Sequence, residues 1–254
     1  MHPKKLDVKS FAEITAYHEA SHFVLTLLMN KFDSSFEKPS EATIKVIIGE
    51  SYKGQIISPL PGVSEEKELA NDETLRIKQI FGSCFVLLSG YYSYNVFYPG
   101  DSNYIMEFDM DDRVKKKVAK YTNLKFIKLD EILENLKYYG EGDDVKKFST
   151  LIHKEFNIPS DPDVIAELHQ IIGFLFYQLD NMLNENAIKD AIELVKDKLV
   201  ENNGKVIEGK DLEDLIVKTE HRIINVDITK YLDACERTYQ DDSWSSWLLP
   251  TLPL

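Results

Sequence analysis

Three features of the sequence predict a mainly α fold of the α+β class. They are a long apolar helix near the N-terminus, one β-rich hairpin behind it, and a second half that is helical almost throughout. The first helix is expected from Ser10-Phe11-Ala12-Glu13, which reads as a capping box: the Ser10 hydroxyl accepts from the Glu13 amide and the Glu13 carboxylate accepts from the Ser10 amide. This places the start at Phe11 and the end near Asn30. Phe11, Ile14, Ala20, Phe23, Val24, Leu25, Leu27 and Leu28 leave so little polar surface that the helix must be buried.

Two β-rich runs come next, Thr43–Ile48 and Gln55–Ser58, separated by Gly49, Ser51 and Gly54, which is a hairpin pattern. From Glu65 the chain again reads as a helix, acidic at its start, apolar in its second half and stopped by Gly90. The aromatic stretch "YYSYNVFYPGDSNYIMEF" reads as an ordered loop, with a new helix starting at Asp109. Further helices are expected over 129–139, 145–156, 163–183, 187–201 and 212–221. No Pro/Gly/Ser linker divides the chain, so residues 1–235 form one expected domain; residues 236–254, with two Trp and two Pro, form a C-terminal tail.

A formal charge of −13 excludes nucleic acid as a partner, because a phosphate backbone would be repelled. Basic residues near the N-terminus are followed by no apolar stretch, so a signal peptide is not expected, and the longest uncharged run, roughly residues 79–100, is too polar to span a membrane. Cys84 and Cys235 are too few for a disulfide framework; the expected location is cytoplasmic.

Within "AYHEASHFVL", His18, Glu19 and His22 carry the His-Glu-x-x-His spacing. Two histidines four residues apart on a helix project from one face, so both imidazoles can reach one zinc ion. The adjacent Glu19 can take a proton from water at that ion. A third protein ligand is needed. Leu25 and Leu28 stand where the metzincin pattern requires Gly and His, which excludes that class. A thermolysin-like arrangement would draw a Glu from a following helix, for which Glu65, Glu66 and Glu68 are candidates that nothing in the sequence separates.

The block "AYHEASH" followed by an apolar run closely resembles the "AYHEAGH" signature of the FtsH-type zinc metallopeptidases. The likeness extends to the hairpin, to "LLSGYYSYNVFYPG" and "EFDMDD", and to "AIKDAIELVKDKLVENNGKVIEGKDLEDLI", which is similar to the family's closing helix pair. The resemblance implies a zincin-like helical domain with a small hairpin or sheet beside the active-site helix. It implies zinc held by His18, His22 and Asp109, with Asp111 and Asp112 as alternatives, and Glu19 as the base. Read from the residues alone, Asp109 is a helix N-cap, which is compatible with ligation. Ser21 stands where the family has Gly, and its hydroxyl can bond back to the carbonyl of Tyr17. Tyr94 stands where the family has Glu, and no phosphate-binding GxxxxGK(S/T) loop is present.

The functional expectation is therefore an ATP-independent zinc endopeptidase acting on flexible or unfolded polypeptide, with the strand at Gln55, Ile56 and Ile57 adding substrate as an extra strand. The departures at Ser21 and Tyr94 motivate a second reading, a peptidase-like protein that binds zinc or peptide without cutting. A third is a helical interaction protein carrying an accidental motif. Oligomeric assembly is left open by the sequence.

Overall fold

The computed structural model describes residues 8–47, 51–65, 67–97, 142–156 and 162–240. The order of elements is α1 (Val8–Phe32), β1 (Glu41–Ile47), β2 (Ser51–Ile57), α2 (Glu73–Phe97), α3 (Gly142–Phe156), α4 (Pro162–Leu183), α5 (Asn186–Glu201), β3 (Val206–Ile207), α6 (Gly209–Arg222) and α7 (Thr229–Gln240). The fold is mainly helical with a small three-stranded antiparallel sheet, as the composition of the segments predicts.

Helix α1 is the axis of the molecule. Every residue from His18 to Met29 is buried, because α2 and α5 pack along it and the sheet closes another side. Phe23, Leu25, Leu27, Leu28 and Met29 are fully enclosed, each such side chain contributing roughly 1.5–3 kcal/mol of transfer free energy. The helix is already formed at Val8, so Ser10 lies inside it and the Ser10–Glu13 box does not mark its start.

The hairpin pairs Glu41 with Ile57 through Ile47 with Ser51. Ala42 and Ile44 point inward, as do Gly54 and Ile56 across from them, whereas Lys53, Gln55 and Ile57 are exposed. This is the period-two alternation of a sheet with one buried face. The strand order is β2-β1-β3, which leaves β2 as an edge strand among the described residues; Val206 and Ile207 of β3 pair with Thr43 and Ala42 on the opposite side of β1.

Helix α2 does not stop at Gly90. It continues through the stretch expected to be a loop and ends at Phe97, because the aromatic residues there have tertiary partners. Tyr92 is fully buried, stacks on Phe176 of α4 at 5.4 Å, and donates its hydroxyl to Asp180 Oδ1 at 3.0 Å. Phe97 stacks on Tyr17 of α1 at 4.4 Å. Two further polar contacts tie α2 to its surroundings: Arg76 pairs with Glu155 of α3 at 2.6 Å, and Gln79 donates to Asp33 just beyond α1. Helix α7, which is not among the helices expected from sequence, buries Tyr231, Leu232 and Cys235 and runs past residue 235. The helices expected at Asp109 and over 129–139, and the tail after Gln240, lie outside the described residues.

Candidate metal centre

Helix α1 carries His18, Glu19 and His22 in its buried stretch, each between 6% and 7% exposed. Their burial has a specific cause on the α2 side. A Cβ added to Gly90 would come within 3.0 Å of His18 Cε1 and Nδ1 and of His22 Nε2, so only a glycine lets the two imidazoles lie against α2. The residue read from sequence as a helix stop is thus a packing glycine inside the helix, where it costs roughly 1 kcal/mol of helix propensity relative to Ala.

The rings meet edge to face with centroids 4.5 Å apart, and their Nε2 atoms are separated by 2.9 Å. His22 Nδ1 lies 2.6 Å from the carbonyl oxygen of Val86 and donates to it, since a carbonyl only accepts. That bond puts a proton on Nδ1 and turns Nε2 toward His18 and Asp144. The Ser89 hydroxyl donates to the same carbonyl at 2.8 Å. A carbonyl-anchored imidazole is the usual support of a metal-binding histidine.

The third group is Asp144, in the first turn of α3. Its Oδ2 lies 3.3 Å from His22 Nε2 and 3.8 Å from His18 Nε2. Ligand atoms arranged tetrahedrally at about 2.0–2.1 Å from an ion are about 3.3–3.4 Å from one another. The three observed separations straddle this value, and the donor set of two imidazole nitrogens and one carboxylate oxygen suits a divalent metal ion. Among the described residues, His18, His22 and Asp144 form a cluster that can hold one. Burial on its own would push the Asp144 carboxyl up, but the two imidazoles facing it hold it far below the usual carboxylate range, so it is anionic.

Glu19 projects toward the sheet. A Cβ on Gly54 of β2 would overlap Glu19 Cγ, Cδ and Oε1, all inside 3.0 Å, so the carboxylate lies directly over the backbone of the edge strand. Ser21 donates its hydroxyl to the Tyr17 carbonyl at 2.8 Å, as its position in mid-helix predicts.

No family model, curated protein or solved structure matches this chain. The site therefore stands on its own geometry. That geometry brings His18 and His22 together with Glu19 beside them, and places Gln55, Ile56 and Ile57 on the strand that Glu19 touches. Asp109, Asp111, Asp112 and Glu66 lie outside the described residues, and Glu65 and Glu68 are not part of the cluster. Asp144 is not among the ligands expected from sequence. A signal for it exists: Asp144 stands at the start of an expected helix, as Asp109 does.

Proposed function

We propose that the protein is a zinc metalloendopeptidase of FtsH-type character, acting in the cytoplasm on flexible or unfolded polypeptide without ATP-driven unfolding by this chain. The observation that carries the proposal is the position of Glu19, one residue from a metal-ligating histidine on one side and seated against an edge strand on the other. A structural histidine pair needs no such carboxylate.

His18, His22 and Asp144 would hold the ion. When bound, it supplies Lewis acidity and makes water more acidic. Glu19 accepts the proton from the attacking water and passes it to the departing amine. The outer edge of β2, unpaired among the described residues, takes the substrate backbone as an added strand and fixes its direction. Among the described residues no helix is long and apolar enough to cross a membrane, and the −13 charge keeps nucleic acid away.

The purified protein should contain one equivalent of zinc, lose cleavage of an unstructured polypeptide on chelation, and recover it when zinc is restored. Folded protein that binds no zinc would remove the proposal and leave a helical protein with an accidental motif.

A further inference from the structure

Two glycines from different elements flank the proposed catalytic helix and make room for different groups. Gly90 of α2 faces the imidazoles, and Gly54 of β2 faces Glu19. The atoms that a new Cβ would meet differ in their freedom to move. At Gly90 they belong to rings, one of which is anchored through Nδ1 on the Val86 carbonyl. At Gly54 they belong to an unanchored side chain, Glu19 Cγ, Cδ and Oε1, which rotation about Cα–Cβ carries away together.

We infer that Gly54 is the positioning residue for Glu19: it forms the seat that brings the carboxylate level with the edge strand, and it thereby sets where along an added strand the peptide bond is attacked. The inference rests on the peptidase reading of the site. Gly54 and Ile56 lie on the inward face of β2. Gly54 puts no side chain between the strand backbone and α1, so the carboxylate reaches the strand there. A substrate strand paired on the edge of β2 that is unpaired among the described residues then presents to Glu19 the peptide unit opposite Gly54, and its neighbours lie opposite Lys53 and Gln55.

The physical consequence of Gly54→Ala depends on which atoms the methyl group displaces. The strand keeps its backbone, since Ala adopts extended φ and ψ readily, and strain is relieved by swinging the Glu19 carboxylate away. The metal ligands, on other faces of α1, are not touched. Gly54→Ala should therefore lower kcat by about 100-fold or more, the range for loss of a general base, with KM and zinc content unchanged. In a Glu19→Ala background, which lacks the Cγ that the methyl group would meet, the same change should alter the residual rate by less than about threefold, since the two residues act as one unit.

A thermal-stability cycle reads the seat without activity. Gly54→Ala should lower Tm in the wild-type chain and raise it, or leave it, in a Glu19→Ala background, where the methyl group meets no carboxylate. Coupling in both cycles is the expected result. Unchanged kcat in Gly54→Ala, or loss of zinc along with kcat, would overturn the inference. If the wild-type protein cleaves nothing, the peptidase reading fails, and the Tm cycle alone decides whether Gly54 seats Glu19. Should Gly54→Ala not fold, folding of the Glu19→Ala double variant supports the seat; failure of both overturns it, because the glycine then serves the sheet itself.

Discussion

Asp144→Asn removes one negative charge from the metal cluster and keeps the volume of the side chain. In the structure its Oδ2 is the only carboxylate oxygen among the described residues that joins the two imidazoles, at 3.3 and 3.8 Å. Loss of a supporting group behind a ligand already costs roughly 10–100-fold in metal affinity, so loss of an anionic ligand should cost at least about 100-fold. That factor corresponds to about 2.7 kcal/mol, which is also the metal-linked stability forfeited at fixed free zinc. For a chain of this size, with about 2–4 °C per kcal/mol, the rise in Tm on adding zinc should shrink by about 5–11 °C. Competition against a chromophoric chelator gives the affinity, and melting curves with and without zinc give the linked shift. Wild-type affinity in Asp144→Asn would refute the assignment. Loss in Asp109→Asn instead would return the third ligand to the position implied by the family resemblance.

Neighbouring contacts carry two further expectations. Gly90→Ala should weaken zinc binding while the protein stays helical, because its methyl group would overlap both rings; unchanged affinity measured by the same competition would show that α2 does not constrain them. At Asp180, burial outweighs the hydrogen bonds from Tyr92 and Asn184 and holds the carboxyl above its usual range. An acid raised in the folded state contributes stability that is complete below its unfolded pKa and lost as pH rises through the folded one. Asp180→Asn stays neutral and still accepts from Tyr92, so it should raise Tm at pH 7, with the gain vanishing toward about pH 4. A lower Tm at pH 7 would contradict this account of the site.

Local periodicity is visible in the sequence, whereas structure that depends on distant partners is hidden. Helix α1 is legible because its apolar residues cover nearly the whole surface, and the hairpin because its β-rich runs flank glycines. Helices α3 to α6 fall close to their expected positions for the same reason. The second half of α2 is not legible: Tyr92 and Phe97 read as loop aromatics until Phe176, Asp180 and Tyr17 are in place around them. Gly90 misleads in the same way, since local propensity makes it a helix stop and only the imidazoles on α1 explain why a glycine stands inside the helix. Within the site, His18, Glu19 and His22 are fixed by a spacing rule on one helix. Asp144 obeys no such rule, because it reaches the pair through the packing of α3 on α2. Glycine at 54 misleads too: it reads as part of the turn between the two β-rich runs, whereas it lies inside β2 opposite Ile44 and has meaning only once β2 lies against Glu19.

Under the proposed function Glu19, seated against the edge strand one residue from His18, is the base of a peptide hydrolase. Cleavage of an unfolded protein substrate is measured for zinc-loaded wild type and Glu19→Gln side by side, with metal content on the same samples. Each should hold one zinc, and cleavage by the variant should fall by at least about 100-fold. Equal cleavage by both proteins would contradict this role of Glu19.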